Sequence, residues 1–239
     1  MGLGKKIGIL LIVVCVLAQM IVPAAADDMP DGEDKVIYLT FDDGPSIYTR
    51  QLLQVLERYG AKATFFLVDT GGCDEALLRT MLRGGHGIGV HSLSHDFKTI
   101  YSSEAAYMND LYAMQALIRK KSGVTTYLMR FPGGSSNTVS RRYNFGIMSR
   151  LTKMVEEAGF VYYDWNVDSM DAAGCRDGEQ IYQNVIGGIR GKKTAVVLMH
   201  DVYACSGAVE QILRWGLANG YRFCALGENS PRCHHPVQN

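Results

Sequence analysis

The sequence predicts an α/β protein whose core is a parallel sheet covered by helices. Two observations lead to this fold class: short apolar runs rich in β-branched and aromatic residues recur from Val36 onward, and longer stretches with helical periodicity separate them. The runs are nearly all apolar, as expected for strands that helices bury on both faces. The seven predicted strands are 36–40, 63–68, 86–91, 126–131, 160–167, 194–199 and 221–226.

Helical periodicity is clearest in four stretches between these strands, at 48–60, 102–123, 146–159 and 179–191. A glycine stands at the end of each stretch and again at position 220, before the last strand. Glycine readily adopts the left-handed conformation that commonly ends a helix. No linker or repeat interrupts this alternation, so the sequence predicts one domain.

Composition argues against a nucleic-acid partner. The chain has 239 residues with 24 basic and 24 acidic side chains, and 47% of its residues are hydrophobic. A chain of this size can bury a large core. Its balanced charge provides no long-range attraction to phosphate backbones.

The first residues have the pattern of a secretory signal peptide. Lys5 and Lys6 precede an apolar run at 7–22, which Pro23 and three alanines follow. We predict a signal peptide at 1–26, cleaved after Ala26, and a short mature segment at 27–34. The alternative is an uncleaved anchor, but this run is shorter than the ~20 apolar residues that usually span a bilayer. Cleavage would leave a secreted or cell-wall-associated protein without a stable membrane anchor.

Export would permit disulfide bonds, because the cell exterior is oxidising. The cysteines beyond the predicted signal peptide are Cys73, Cys175, Cys205, Cys224 and Cys233. This number is odd, so at least one thiol stays free or pairs with another molecule. Cys175 and Cys205 are the first candidates for a pair, and the alternative is that the thiols are buried or unpaired.

Polar residues that could carry chemistry follow the first predicted strand. Asp42 and Asp43 stand at its end, in the stretch YLTFDDGP. In parallel α/β folds the carboxyl ends of strands lie together, and functional sites form there. Neighbouring side chains on an extended chain point to opposite sides, so the two carboxylates could serve two functions. The alternative is an ordinary turn, in which Asp, Gly and Pro are common.

A pair of histidines follows the third predicted strand. His91 and His95 lie in the stretch VHSLSH. If the chain turns helically there, a spacing of four places both imidazoles on one face, where they could bind one cation. The residues between them offer no base, so a third ligand and a base must come from elsewhere, and the aspartate pair could supply both. The alternative is that these histidines make only structural contacts.

Further candidates follow later strands. Arg130 could orient a carboxylate, and Gly133 and Gly134 open a loop whose backbone N–H groups could approach a substrate oxygen. Taken alone, this loop is more typical of a turn. His200 follows the sixth strand, where a nearby carboxylate such as Asp171 could keep it protonated as a general acid. Its alternative is a core histidine.

Five motifs occur together in the order TFDDG, HSLSH, RFPGG, DSMDA and LMH. With them, residues 35–226 resemble the polysaccharide deacetylases of carbohydrate esterase family 4, the NodB-homology domain. The resemblance implies a distorted, incomplete (β/α) barrel of about seven parallel strands. It also implies a metal-dependent enzyme with a divalent cation, zinc or cobalt.

The resemblance also assigns roles by motif position. Asp43, His91 and His95 match the metal ligands. Asp42 matches the catalytic base, and Arg130 matches the arginine that orients this base.

The remaining motif positions match the acid and the substrate pocket. His200 matches the general acid, and Asp171 matches the carboxylate that tunes it. The backbone N–H of Gly133 matches the oxyanion donor, and Leu198 matches the residue that lines the pocket for the acetyl methyl group.

One position departs from the family pattern. The fourth motif often ends in Asp-Trp, but here Ala172 follows Asp171. The tryptophan that usually forms a wall of the acetyl pocket is therefore missing. Trp165 could fill this space from upstream, or it could be a core residue or a platform for a sugar ring.

The resemblance implies removal of N-acetyl groups from a polysaccharide, with the GlcNAc or MurNAc of cell-wall peptidoglycan as the first candidate substrate. The alternatives are a chitooligosaccharide deacetylase, a xylan O-acetyl esterase and an inactive glycan-binding homologue. The catalytic domain is predicted at 35–229. The last residues, 230–239, have turn composition and are predicted to be a flexible tail.

Overall fold

The computed structural model describes residues 35–201 and 206–239. The predicted signal peptide, the segment 27–34 and Cys205 lie outside the described residues. Within the described residues, no helix is long and apolar enough to cross a membrane. Among the described residues, Cys73, Cys175 and Cys233 form no disulfide bond with one another, and the pair of Cys175 and Cys205 stays a prediction. Burial is the main cause that raises the pKa of the Cys73 thiol to about 12, so this cysteine is an inert core residue.

The described residues form eight strands and seven α-helices. The strands are β1 (Lys35–Gly44), β2 (Ala63–Val68), β3 (Gly87–Ser92), β4 (Leu128–Met129), β5 (Val161–Tyr162), β6 (Val167–Asp168), β7 (Thr194–His200) and β8 (Tyr221–Phe223). The helices are α1 (Thr49–Arg58), α2 (Glu75–Arg83), α3 (Phe97–Ile100), α4 (Glu104–Ser122), α5 (Ile147–Glu157), α6 (Gly178–Ile189) and α7 (Ser206–Ala218). A short 3-10 helix, Val139–Arg142, precedes α5.

The strands form a curled, incomplete barrel, as predicted. The order across the sheet is β5-β4-β3-β2-β1-β7-β6, and all pairings are parallel. The two edge strands, β5 and β6, are consecutive in the chain, so four residues cross from one edge of the sheet to the other. Tyr163 N donates to Met129 O, and Asn166 N donates to Val196 O. The sheet must therefore curl until its edges approach each other.

The predicted fifth strand, 160–167, is divided in the structure. Its ends form β5 and β6, and residues 163–166 make the crossing between them. The sequence predicts seven strands because the aromatic and β-branched residues of this run favour one strand, although Asp164 and Asn166, which are common in turns, stand at the division. The last strand, β8, pairs with β1 over Lys35–Ile37, beside the stretch of β1 that pairs with β2.

Helix ends follow the sequence prediction. Gly60, Gly123, Gly159, Gly191 and Gly220 all have positive φ, between 62 and 84°. The longest helix, α4, begins where the Ser103 side chain accepts the N–H of Ala106, and it ends at the left-handed Gly123.

The alternating side chains of β1 divide the core into two clusters. Ile37 and Leu39 belong to the large cluster between the sheet and the helices. Val36 and Tyr38 belong to a smaller apolar cluster with side chains of other strands, including Phe66 of β2. This second cluster fills the barrel interior, and toward the carboxyl end of β1 the interior becomes polar.

Candidate active site and metal centre

The two adjacent aspartates both face one site because β1 contains a bulge. The β1–β2 register passes from Asp42 opposite Phe66 to Gly44 opposite Leu67, so Asp43 has no partner on β2. Asp43 has a φ of 67°. Regular alternation would send the two carboxylates to opposite sides, as the sequence predicts, but the extra residue turns the second one back. Asp42 Oδ2 lies 3.9 Å and Asp43 Oδ1 3.4 Å from His91 Nε2.

Asp43, His91 and His95 are close enough to share one cation. Asp43 Oδ1 lies 3.4 Å from His91 Nε2 and 3.3 Å from His95 Nε2. One ligand atom from each residue lies within 4.8 Å of the other two. Asp43 Oδ1 is buried and has no hydrogen-bond partner in the described part of the chain. An orphaned carboxylate oxygen between two imidazoles fits a cation, since carboxylate and imidazole are ordinary zinc ligands.

The two histidines come together through a tight turn rather than a helix. His91 lies on β3, and His95 follows in a left-handed conformation with φ 52°. Ser92 Oγ accepts the backbone N–H of His95 at 2.9 Å. The helical turn considered from the spacing is therefore absent, although the two imidazoles do meet. Burial and the neighbouring His91 lower the pKa of His95, which favours the neutral ring that a metal requires.

Asp110 of α4 holds this turn, and no motif in the sequence singles it out. Its Oδ2 accepts from Ser92 Oγ at 2.6 Å and from Leu93 N at 2.8 Å. Its Oδ1 accepts from Ser94 N at 3.0 Å and from Ser94 Oγ at 2.9 Å. One carboxylate therefore fixes three consecutive residues between the histidines.

A backbone contact sets the tautomer of His91. Its Nδ1 lies 2.8 Å from the carbonyl oxygen of Arg130. A carbonyl can only accept, so Nδ1 carries the proton and Nε2 presents its lone pair to Asp43 and the cluster. Such an outer contact both orients a ligand and raises its basicity.

Arg130 is completely buried and rigidly held. Its Nη1 donates to Asp42 Oδ1 at 2.9 Å and to Thr40 Oγ1 at 2.6 Å. Its Nε and Nη2 donate to the carbonyl oxygens of Tyr163 and Asp164. The guanidinium also lies over the Phe66 ring, 4.5 Å from its centroid. Arg130 thus makes a single hydrogen bond to the carboxylate rather than a bidentate pair, and its remaining bonds link β1 to the crossing between the sheet edges.

His200 and Asp171 form a buried pair on the other side of the cluster. His200 Nδ1 donates to Asp171 Oδ1 at 2.8 Å, and His200 Nε2 lies 4.0 Å from Asp43 Oδ2. Burial alone would lower the pKa of His200. The hydrogen bond to Asp171 and the charge of Asp42 outweigh burial, so the pKa rises to about 9. The imidazolium is therefore stable beside these carboxylates at neutral pH.

The glycine loop after Arg130 lies close to the histidine turn and to Trp165. Gly133 and Gly134 have φ of 76° and 78°. A Cβ on Gly133 would lie 3.4 Å from the ring of Phe97, whose edge contacts His95. A Cβ on Gly134 would lie 2.9 Å from Trp165.

Leu198 and Trp165 lie on different parts of the barrel. Leu198 is buried on β7, two residues before His200 and therefore on the same face of the strand. Trp165 lies in the crossing between the sheet edges, 5.6 Å from the Arg130 guanidinium and in edge contact with His235. Trp165 is half-buried against the smaller apolar cluster, and its placement in the acetyl pocket stays a prediction.

Asp201 is a buried carboxylate beside the β1–α1 connection. Thr49 Oγ1 donates to Asp201 Oδ2 at 2.5 Å, and Ser46 Oγ donates to its backbone oxygen. Burial is the main cause that raises the pKa of Asp201 to about 6. A Cβ on Gly44 would lie 2.1 Å from Asp201 Oδ1, so only glycine fits there. This contact fixes the chain immediately after Asp43.

Comparison with known proteins agrees with the fold. The family model for polysaccharide deacetylase matches residues 30–145. A peptidoglycan-N-acetylglucosamine deacetylase of Bacillus cereus is 38% identical over 216 residues, which cover 86% of this chain and 73% of the relative.

Two solved structures are similar throughout the barrel. The catalytic domain of a peptidoglycan N-acetylglucosamine deacetylase from Eubacterium rectale has a TM-score of 0.84 and 46% identity, covering 91% of this chain and 100% of that one. A polysaccharide deacetylase from Bacillus cereus has a TM-score of 0.72 and 36% identity, covering 85% of this chain and 96% of that one.

An incomplete (β/α) barrel with an Asp-His-His cluster at the carboxyl ends of its strands defines a metal-dependent hydrolase. The extent of the similarity then makes the family plain. The chain belongs to the polysaccharide deacetylases of carbohydrate esterase family 4.

Proposed function

We propose that this enzyme removes the acetyl group from N-acetylglucosamine residues of peptidoglycan, with zinc or cobalt bound by Asp43, His91 and His95. The observation that carries the proposal is the position of Asp43 Oδ1, which lies 3.4 and 3.3 Å from the two histidine Nε2 atoms without another partner among the described residues. An acid candidate and a base candidate flank this cluster. That arrangement suits hydrolysis of an amide by water.

A divalent cation at this site would polarise the amide carbonyl and lower the pKa of a water molecule toward ~7. Protein side chains must then accept a proton from the water and donate one to the departing amine. Asp42 is the proposed general base, since its Oδ2 faces the cluster while Arg130 holds its Oδ1. His200 is the proposed general acid that protonates the departing amine, and Asp171 holds its ring by hydrogen bonds to Nδ1 and to the backbone N–H.

The tetrahedral oxyanion would be stabilised by the backbone N–H of Gly133. This residue has positive φ and lies in the exposed part of the glycine loop. Removal of one such donor typically costs about 3 kcal/mol of transition-state stabilisation. We assign Leu198 to the pocket for the acetyl methyl group, since it lies on the same strand face as His200. We propose that Trp165 takes the place of the tryptophan missing at position 172.

Peptidoglycan is the proposed substrate because the similar proteins from Bacillus cereus and Eubacterium rectale are described as peptidoglycan deacetylases. Removal of the acetyl group would expose an amine and add positive charge to the wall. MurNAc residues, chitooligosaccharides and acetylated xylan carry related acetyl groups. They are the competing substrates in the test below.

Acetate release from purified peptidoglycan, chitooligosaccharides and acetylxylan tests the proposal. We expect the fastest release from peptidoglycan, its loss with a chelator and its recovery with zinc or cobalt. Mass spectrometry of the digested wall should locate the new free amines on glucosamine. A protein that binds metal and glycan but releases no acetate from any of the three polymers would be the inactive homologue instead.

We also propose that the enzyme is exported and acts at the cell wall. The support is the charged, apolar and small-residue pattern of residues 1–26. Mass spectrometry of the protein recovered from the culture medium and wall fraction should find Asp27 as the first residue. Intact protein that begins at Met1 in the membrane fraction would contradict cleavage.

A further inference from the structure

The last residues of the chain run across the glycine loop and make specific contacts with it. The sequence predicts a flexible tail at 230–239, yet residues 233–239 bond to three parts of the barrel. We call Cys233–Asn239 the strap. Its first contact is with the crossing between the sheet edges, where Asp164 N donates to Cys233 O at 2.8 Å.

Asp164 connects the strap to the glycine loop. This side chain is completely buried. Its Oδ1 accepts from Ser135 N at 2.8 Å, and its Oδ2 accepts from Ser135 Oγ and from His235 N. Ser135 directly follows Gly134, so one carboxylate joins the loop that carries the proposed oxyanion donor to the backbone of the strap.

Asp164 also contacts the arginine that holds the proposed base. Its backbone oxygen accepts from Arg130 Nη2 at 2.9 Å. The same residue therefore touches both the glycine loop and Arg130.

The strap has two further anchors. The His235 ring lies in edge contact with Trp165, its Nε2 donates to Trp165 O at 2.6 Å, and its Nδ1 lies 3.2 Å from Ser136 Oγ. At the other end, Asn239 Oδ1 accepts from Gly146 N at 2.7 Å, and Asn239 Nδ2 donates to Ser140 Oγ. The strap therefore contacts the segment between Gly134 and α5 at both of its ends.

These contacts have a mechanical consequence for the glycine loop. Gly133 and Gly134 have no Cβ to restrict them, so their backbone depends on outside contacts for a fixed position. We propose that the strap and Asp164 are positioning elements of the deacetylase site, which hold the Gly133 N–H where the oxyanion forms. This inference rests on the proposed function. It adds a part of the chain that none of the five motifs contains.

The first test shortens the chain so that it ends at Arg232. We expect a folded enzyme with unchanged zinc affinity, since Asp43, His91 and His95 do not touch the strap. Acetate release should show kcat reduced about ten- to a hundredfold, with a smaller change in KM, because misplacement of a catalytic group by about 1 Å costs that much. The matched control is Gln238→Ala, which removes an exposed strap side chain and should behave as the parent.

The second test is Asp164→Asn in the full chain. The side chain keeps its shape, but its amide nitrogen cannot accept, so at least one of the hydrogen bonds from Ser135 and His235 is lost. The same fall in kcat with unchanged zinc affinity is expected. This variant decides the question if the shortened chain does not fold. Parental kcat in either folded variant would overturn the inference, as would a loss of zinc affinity equal to the loss of rate. Absence of acetate release by the parent enzyme would instead refute the proposed function.

Discussion

His200 and Asp171 are joined twice: Asp171 Oδ1 accepts from the His200 ring at Nδ1, and Asp171 Oδ2 accepts the backbone N–H of His200, both at 2.8 Å. Asp171 therefore fixes the orientation of the His200 ring and also favours its protonated form. Its Nε2 faces the cluster, where a departing amine would need a proton. Any change at Asp171 should alter the pH at which His200 can serve as an acid.

Asp171→Asn should move the alkaline limb of the kcat/KM profile to lower pH. A general acid must be protonated, so activity is lost as the pH rises through its pKa. Burial lowers the pKa of His200, whereas the hydrogen bond and charge of Asp171 raise it. Loss of that charge therefore lowers the pKa and brings the decline to lower pH. Acetate release between pH 5 and pH 10 measures this shift, and an unmoved alkaline limb would exclude His200 as the acid.

Asp42→Asn should separate chemistry from metal binding. The amide keeps the size of the side chain but cannot accept the proton of the attacking water. Turnover should fall by about two orders of magnitude or more. The metal content after dialysis should equal that of the parent, because Asp42 is not among the three proposed ligands. A variant with near-parental turnover would refute its role as base.

His91→Ala should reduce metal occupancy and rate together. One of three protein ligands is lost, so elemental analysis after dialysis should find substoichiometric zinc. For metal content, His234→Ala is the matched control, because His234 stacks on Tyr162 at the barrel edge and is no part of the cluster. Full metal content in the His91 variant would contradict the ligand assignment.

Asp110→Asn should weaken metal binding without touching a ligand. The carboxylate accepts four hydrogen bonds from Ser92, Leu93 and Ser94, and an amide nitrogen would face two of these donors. We expect a zinc affinity about tenfold lower by competition with a chelating dye, as for other outer contacts of metal sites. Asp177→Asn, at the start of α6, is the control, since asparagine also caps helices. Equal zinc affinities in the two variants would contradict this role.

Gly134→Ala should cost more stability than Gly60→Ala. Both glycines have positive φ, so both alanines carry the left-handed penalty of about 1 kcal/mol. At Gly60 a Cβ meets nothing within 4 Å, but at Gly134 it lies 2.9 Å from Trp165. Thermal unfolding should show the larger loss for Gly134→Ala, with a parallel loss of acetate release. Equal melting temperatures would show that Trp165 can move away.

The sequence predicts the barrel well because most of its evidence is local. Apolar runs identify β1, β2, β3 and β7, and the glycines at helix ends identify where helices stop. The division of 160–167 into two strands was missed, because the reason for it lies in distant partners: Tyr163 bonds to β4 and Asn166 to β7. Within the run, only Asp164 and Asn166, which are common in turns, mark that change.

The sequence predicts the residues of the candidate site because most of them lie in five short motifs at strand ends. It predicts their spatial arrangement less well. Alternation places Asp42 and Asp43 on opposite sides, and only the register with β2 reveals the bulge. The spacing of His91 and His95 allows a helix, but the left-handed His95 forms a turn.

Residues that support the site from a distance gave no signal in the sequence. Asp110 lies 16 to 18 positions from the serines it binds, and Asp164 lies 29 positions from Ser135. Asp110 stands alone in a helical segment, and Asp164 is one of three aspartates at 164–171 that sequence alone does not distinguish. The role of each follows only from which segments the fold brings together, and sequence spacing does not encode that.

The bulge at Asp43 makes the number of residues in β1 as important as their identity. A substitution there changes a proposed ligand and leaves the architecture in place. Deletion of this one residue would restore regular pleating, draw Pro45 into the position of Gly44 and pull the start of α1 toward the barrel. Related enzymes should therefore neither lengthen nor shorten the strand at this point, even where neighbouring side chains differ.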